Sequence, residues 1–561
     1  GASAAYVRPK RAADAAAFVR HGSAVVASYA RAGSEYSVPQ DIPDYVSPFL
    51  HSVVLEGLAP DGVPYEYYVS DDDDDDSSRR SPVFTFRTLP STPAYPTSLV
   101  LLGDHGQTEF SAATVAEMLE WVNASTTAKD PAACLLVGDL SYADGDQRRW
   151  DSWERLVEPV FAELPLLTLA GNHETEATED GDAFLAYRSR YRQPGEPEIV
   201  APGTVVDYHT YTYNLTYEFG ASYYAVSVGP ARVVALNTYV DASVGSLQRA
   251  WLEREVACLD RQRTPWLVVS MHAPWYSTNV KHRVDDETAT RQHKEGLEAI
   301  VAKAGAAIVF AGHVHAYERS RPVCFNEVHD DPPGAAPVYV TIGDGGNREQ
   351  LYDVWPFARS EPWSAFRNGT KYGFGELEFV DDATAVWRWL PNSYGGPADE
   401  VTIVNPWVVF TTPDAREGVC DDPTPEYNST ADDGFVWDCD DADVVGEVQR
   451  RVAWIKNGGP PSSVAPKSSS SSKGGGGASE QTVRALTIVA IFFVATFIGL
   501  AALYSLRSAQ PGTGRRPFAA VGGLELPAQA GSEDEDGKDD KTLLSRGDDL
   551  DAAGGSKALL V

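Results

Sequence analysis

Residues 98–104 read SLVLLGD, and four later stretches repeat the same grammar: CLLVGD at 134–139, LPLLTLAGN at 164–172, PWLVVSMH at 265–272 and AAIVFAGH at 306–313. Each is a short, continuous apolar run that stops at a polar residue, usually with Gly just before it. Runs of strand length without polar alternation are predicted to be strands buried on both faces. Between them lie helical patterns, SAATVAEMLEWVNAS at 111–125 and SLQRAWLEREVACL at 246–259. Strands alternating with helices predict an α/β layered domain, a β-sheet sandwich flanked by helices.

The polar residues that end the strands are of metal-ligand type. GDHGQ supplies Asp104, GDLSYADG supplies Asp139 and Tyr142, GNHE supplies Asn172 and His173, the fourth run ends in His272, and GHVHAYER supplies His313 and His315. In α/β sheets ligands gather outside the carboxyl ends of strands, so these ends are predicted to converge on one crevice. Carboxylate, amide and phenolate oxygens beside imidazole nitrogens, with no thiolate, suit two hard or borderline cations, and one carboxylate has two oxygens to bridge them. The Gly before each ligand is expected to let the backbone turn sharply. In GHVH the spacing is expected to place both histidines on one side of a strand end. Taken singly, an Asp after Gly is a turn or helix cap; the argument rests on five such ends in order. His51 and His105 lack this context and read as structural or surface residues.

The series GD-x-G, GD-x-x-Y, GNHE, a His after an apolar strand, and GHVH resembles the calcineurin-like metallophosphoesterases. Tyr142, three residues after Asp139, narrows the resemblance to the purple acid phosphatases, as do MHAPWYST, GHVHAYERS, PVYVTIGDGGNRE and WSAFRNGTKYGFGELEF. The likeness covers about residues 50–400. It implies that Asp104, Tyr142 and His315 bind Fe(III), that Asn172, His272 and His313 bind a divalent ion (Zn, Mn or Fe), and that Asp139 bridges the two. A Tyr phenolate on Fe(III) would colour the protein. The resemblance also implies a dinuclear acid phosphatase acting on phosphate monoesters through a hydroxide nucleophile generated at the metals. His173 would contact the substrate phosphate, and His282 would be an outer-sphere acid; the family's adjacent histidine is Lys281 here, which bears on leaving-group protonation. A phosphodiesterase or pyrophosphatase on the same scaffold is the alternative. A catalytically inactive, membrane-displayed binding domain is disfavoured because all seven ligand positions hold competent residues.

The rest of the chain frames this domain. Residues 1–92, rich in β patterns, resemble the fibronectin-like β-sandwich that precedes larger plant-type members, incomplete here. Residues 97–412 form the expected catalytic domain and 413–484 an extension ending in a Ser/Gly-rich linker. Residues 485–506, ALTIVAIFFVATFIGLAALYSL, carry no charge and predict one transmembrane helix. Residues 507–561 read as an acidic, disordered tail. A net charge of −34 over 561 residues argues against nucleic-acid partners, and part of that charge lies in Asp71–Asp76 and EDEDGKDD at 533–540. The expected partners are a phosphorylated small molecule or phosphoprotein, and a membrane through 485–506. Arg507, Arg515 and Arg516 after the span favour a cytosolic C-terminus. The catalytic domain would then be extracellular or in the lumen of an acidic compartment, and DDKTLLS in the cytosolic tail, with Asp539, Leu543 and Leu544, matches an acidic dileucine sorting pattern that would steer the protein to such a compartment. The first residue is Gly1, consistent with a mature or truncated form lacking its signal sequence. Sequons at Asn123, Asn214, Asn368 and Asn428 fit a secretory glycoprotein. Of five cysteines, Cys134 reads as a buried thiol, and Cys420 with Cys439 as a candidate disulfide. The sequence does not set the oligomeric state.

Overall fold

The computed structural model describes most of residues 3–410 together with Trp437, Cys439 and 444–457; residues 11–16, 32–41, 72–79, 125–130, 177–183, 194–219, 357–360, 411–436 and nearly all of 458–561 lie outside the described residues. Two sheets form the core of the domain expected at 97–412. One has six strands in the order Leu166–Thr168, Ala133–Leu136, Thr97–Leu102, Gly373–Phe379, Thr384–Pro391, Asp399–Val404. The other has seven, in the order Tyr224–Val228, Ala231–Ala235, Trp266–Ser270, Ile308–Ala311, Val338–Ile342, Tyr317–Ser320, Ser364–Asn368.

The continuous apolar runs are explained by burial on both faces. Every residue of Thr97–Leu102 is buried. Leu99 and Leu101 face inward and share one core with Leu135, Val233, Val268, Phe310, Val340 and Trp387, contributed by both sheets. Val100 and Leu102 face outward and pack with Met118, Trp150 and Trp153 of the helices Glu109–Ala124 and Arg148–Phe161. On the second sheet Val234 and Val269 pack in the same way with Leu252, Leu297 and Ile300, from the helices Leu247–Ala257 and Thr288–Lys303. A period of two thus runs through each strand, but both classes of position are apolar, so no alternation is visible in the sequence.

The five ligand-bearing strands do not belong to one sheet. The first three, Thr97–Leu102, Ala133–Leu136 and Leu166–Thr168, are parallel neighbours in the six-stranded sheet. The other two, Trp266–Ser270 and Ile308–Ala311, are parallel neighbours in the seven-stranded sheet. The crevice lies where the carboxyl ends of two stacked sheets meet, not at a switch point within one.

The β structure expected in the N-terminal segment is present as a four-stranded antiparallel sheet, Val19–His21, Ser3–Pro9, Pro64–Asp71 and Phe84–Arg87. Outside this sheet, Tyr29 and Tyr45 of the N-terminal segment meet Arg190 of the following domain, whose side chain is fully buried. Its Nη1 lies 2.8 Å from Glu154 Oε2, its Nη2 2.9 Å from Asp151 Oδ1, and its Nε donates to Tyr29 Oη at 3.0 Å. A buried guanidinium is tolerated because each charge has a partner.

Beyond the catalytic sheets, the helix Val444–Lys456 docks on Leu247–Ala257. Arg254 meets Glu447 at 2.6 Å and Arg451 meets Glu253 at 3.1 Å. Cys439 pairs with Cys258, at the end of Leu247–Ala257. This corrects the expected Cys420–Cys439 pairing: the docked helix carries Cys439 to a cysteine 181 residues away. Cys324 is also disulfide-bonded, and Cys134 is a buried free thiol, as expected. No helix among the described residues is long and apolar enough to cross a membrane; the predicted span 485–506 falls almost wholly outside the described residues, as does the dileucine tail.

Asp344 follows Val338–Ile342 and joins the two sheets. It is fully buried, and its Oδ2 accepts a hydrogen bond from Trp389 Nε1 at 2.8 Å. Burial raises its carboxyl from 3.8 to about 7, against the Trp389 hydrogen bond. The unfolded chain therefore releases this proton at lower pH than the folded one. The stability Asp344 contributes is complete below about pH 4 and is lost as pH rises towards 7. Asp344→Asn, which stays neutral, should gain stability relative to the wild type across that window, by an amount on the order of 4 kcal/mol at its upper end. Denaturant unfolding at several pH values checks this; a difference independent of pH would show that Asp344 is ionised throughout.

Candidate metal centre

The centre is built from strand ends held in unusual backbone conformations. Asp104, Asp139, Tyr142, His282 and His313 all have positive φ, between 51° and 68°. Non-glycine residues rarely adopt the left-handed region, and holding them there costs of order 1–3 kcal/mol each. In GHVH the histidines are not aligned by strand alternation. Val314 N–H donates to Gly312 O at 2.8 Å and Ala316 N–H to Val314 O at 2.6 Å, so consecutive three-residue turns aim His313 and His315 at the same centre.

Two groups of ligand atoms result. In the first, Tyr142 Oη lies 3.2 Å from Asp104 Oδ1 and 3.0 Å from His315 Nε2, with His315 Nε2 3.4 Å from Asp104 Oδ1. In the second, His272 Nε2 lies 3.1 Å from both Asp139 Oδ2 and Asn172 Oδ1, and Asp139, His272 and His313 present ligand atoms all within 4.8 Å of one another. The groups are interlocked by backbone. Asp104 Oδ2 accepts the His313 N–H at 2.8 Å, and the Asp104 N–H donates to Gly138 O at 3.1 Å.

Each imidazole is fixed by its other nitrogen. His272 Nδ1 faces Val137 O at 2.8 Å and His315 Nδ1 faces Gln350 O at 3.1 Å, so both present an Nε2 lone pair to the centre. His313 Nε2 faces Glu287 at 3.1 Å, which leaves Nδ1. These tautomers follow from the acceptors, since a carbonyl or carboxylate requires an N–H.

The donor set fits two cations. Asp139 Oδ2 is buried without a hydrogen bond although His272 lies beside it, and a buried orphan carboxylate oxygen demands a positive partner. Burial alone would raise the Asp139 pKa, but His272 and His173 hold it far below the carboxylate range. Burial opposes charge on His272, yet Asp139 lifts it to about 9. Burial, then Asp104 and Asp139, push the Tyr142 phenol well above its ordinary value. The same negative field that holds the phenol's proton would stabilise a cation replacing it.

Residues 97–317 match the family model described as calcineurin-like phosphoesterase, and residues 336–400 the one described as iron/zinc purple acid phosphatase-like protein C. "Purple acid phosphatase 22" of Arabidopsis thaliana is 38% identical over 324 residues, which cover 57% of this chain and 66% of that protein, just under two thirds of its length. "Fe(3+)-Zn(2+) purple acid phosphatase 12" of the same plant is 32% identical over 380 residues, covering 64% of this chain and 73% of the relative. The chain belongs to the purple acid phosphatases. The solved structure of purple acid phosphatase PPD1 from yellow lupin (Lupinus luteus) seeds shares the fold, with a TM-score of 0.57 at 20% identity over 72% of this chain and 69% of that one.

All nine residues singled out from the sequence come together. The His173 ring lies 4.0 Å from that of Tyr142, with Nε2 3.9 Å from Asp139 Oδ2 and Nδ1 against Asp144. The His282 ring lies 4.1 Å from that of His313. Lys281, where the resemblance leads one to expect a histidine, is exposed, its ammonium 5.6 Å from the centre of the Tyr352 ring. Tyr352 in turn stacks on His315 at 4.4 Å. His105 is structural, accepting from Trp153 Nε1 at 3.0 Å, and His51 is likewise buried.

Sequence reasoning missed three supporting residues of this purple acid phosphatase. Glu174 accepts the N–H groups of Asp139, Leu140 and Gly171 at 2.8–2.9 Å, stapling two ligand loops together. Asp144 contacts both His173 and Arg348. Glu287 contacts His282 and His313. Glu174 was visible as the last letter of GNHE; the others carry no local signal.

The glycines before the ligands serve mainly to leave space. Only Gly138 needs positive φ, at 91°; Gly171 and Gly312 do not. A Cβ on Gly171 would overlap Asp139 Oδ1, and one on Gly312 would overlap Asp104 Oδ2. Gly171→Ala should therefore displace Asp139 and sharply lower metal content while leaving the far-ultraviolet circular dichroism near wild type. Metal analysis of the purified variant checks this; full metal content would show that the loop yields at little cost.

Proposed function

We propose that the protein is an acid phosphatase acting on phosphate monoesters, with Asp104, Tyr142 and His315 holding Fe(III), Asn172, His272 and His313 holding a divalent ion, and Asp139 bridging them. The observation that carries this reading is the buried Asp139 oxygen without a hydrogen bond, which presents itself with His272 and His313 as one group of ligand atoms. The relative whose name specifies Fe(3+) and Zn(2+) supports the choice of metals. When bound, such cations acidify water and neutralise phosphate charge.

The chain's own residues supply the rest. His173, oriented by Asp144, presents Nε2 towards the centre, where it can donate a hydrogen bond to a phosphate oxygen. His282, held at Nδ1 by Glu287 at 2.7 Å, has Nε2 to give a proton to the leaving oxygen as its bond to phosphorus breaks. The exposed Lys281 adds positive charge beside Tyr352 in an otherwise acidic protein. Replacing His173 by Ala should keep both metals and slow turnover roughly 10²–10⁴-fold. Metal analysis and kinetics on a panel of phosphate monoesters, diesters and pyrophosphate test the reading. Preferential hydrolysis of a diester or of pyrophosphate would overturn the monoester assignment, and metal loss in the variant would make His173 a ligand.

We also propose that residues 485–506 tether the catalytic domain to a membrane, facing the cell exterior or an acidic lumen. The disulfide between Cys258 and Cys439 supports an oxidising compartment, and the four sequons agree with it. The full-length chain should stay in the membrane pellet after an alkaline wash and be released when truncated before residue 485; release of the full-length form would rule out the span.

A further inference from the structure

We propose that Glu287 is a positioning residue that fixes two histidines with different tasks, the ligand His313 and the acid His282, through one carboxylate. The inference builds on the functional reading above and assigns a role to a residue outside its ligand set.

Glu287 occupies the cap position of the helix Thr288–Lys303. Ser, Thr, Asp or Asn usually stands at such a position and accepts a backbone N–H of the first turn. Glu287 makes no side-chain capping bond. Its carboxylate turns instead towards the centre, where Oε1 lies 2.7 Å from His282 Nδ1 and both oxygens lie 3.1 Å from His313 Nε2. Thr290 Oγ1 donates to Oε2 at 2.9 Å and holds the carboxylate in that pose. The Glu287 side chain is only 17% exposed.

The backbone is bent to make this contact. Asp286 N–H and Glu287 N–H both donate to Arg283 O, at 2.9 and 3.2 Å, closing the turn that carries His282 back over the helix start. His282 has φ of 52°, a conformation unfavourable for an L residue. The negative side chain also sits at the positive end of the helix dipole.

The consequences for the two rings differ. His313 must present Nδ1 to the centre, and its Nε2–H is committed to Glu287. His282 has its Nδ1–H committed to the same carboxylate, which leaves Nε2 for proton exchange. The nitrogen–oxygen separations are those of hydrogen bonds, and the two N–H donors account for them without a further cation. A carboxylate behind a ligating histidine fixes its tautomer and orientation, and losing such a partner typically costs 10–100-fold in metal affinity or activity.

Glu287→Gln keeps the shape but offers only one acceptor oxygen and sets an NH₂ against one of the imidazole N–H groups. In the full-length protein this variant should bind the divalent ion about 10–100-fold more weakly while retaining iron. With the divalent ion restored to saturation, kcat should still be reduced with KM little changed, because His282 is no longer held. That residual loss should largely vanish in a His282→Ala background, since the two substitutions remove one arrangement. Glu287→Asp, one methylene shorter, should not rescue both properties together. Titration of the metal-depleted protein with zinc, with metal content and kinetics of each variant, measures these effects. If Glu287→Gln binds the divalent ion and turns over like the wild type, the inference fails. It fails equally if the wild type carries a third metal that the variant lacks, since Glu287, His282 and His313 would then be ligands of that ion. If the wild type itself binds no metal pair, the fault lies with the functional reading instead.

Discussion

The structure around the centre depends on the approach of two backbones to the Asp139 carboxylate. Its Oδ1 is claimed by the His173 N–H at 2.8 Å, the Glu174 side chain binds the Asp139 N–H at 2.8 Å, and its Oδ2 is left facing His272. This works only because residue 171 has no Cβ, the space it would occupy being filled by the carboxylate itself. Strand ends from two sheets can therefore close to ligand distance around one buried anion. Such an anion would be costly alone, so the geometry that brings the ligands together also creates the demand for cations.

The buried anions also set the protonation of the ligands themselves. Burial, reinforced by Asp104 and Asp139, pushes the Tyr142 phenol up, and Asp139 raises His272 to about 9 against its burial. Protons and metals are thus alternative answers to the same excess of buried oxygen. In the metal-free protein some of those protons sit on groups that the metals require bare, so metal loading must release protons. A chain with a net charge of −34 can in this way still offer an anion a favourable crevice: the repulsive charge lies in the chain at large, and the field at the crevice would change sign with cations bound there.

Much of this was legible in the sequence because ligands placed at strand ends leave a local trace. An apolar run that stops at Gly-Asp, Gly-Asn-His or Gly-His-Val-His announces both the strand and its polar terminus, and Asp104, Asp139, Tyr142, Asn172, His272, His313 and His315, singled out in this way, gather in one place in the fold. What could not be read is whatever depends on contact between distant segments. That the five strands divide between two sheets is set by the strands at 373–404, which insert beside Thr97–Leu102 and carry no ligand-type ending. Asp144 and Glu287 look like solvated acids in ADGD and DDET, and only folding turns them inward. The Cys258–Cys439 bond was missed for the same reason: the partner of Cys439 is selected by the docking of Val444–Lys456, not by proximity along the chain.

That docked helix changes how the polar C-terminal extension is understood. Its contacts are buried ion pairs, Arg254 with Glu447 and Arg451 with Glu253, with side chains at most 7% exposed. Such pairs add little net stability over an apolar contact, but breaking one leaves a buried charge unpaired, so they specify one seating of the helix over others. The disulfide then reduces the freedom of the undocked chain. Together they give the polypeptide a defined exit from the catalytic domain immediately before the Ser/Gly-rich segment that begins near residue 467. The position from which the chain leaves the folded domain is therefore fixed at Val444–Lys456 by two ion pairs and one covalent bond rather than by an apolar contact.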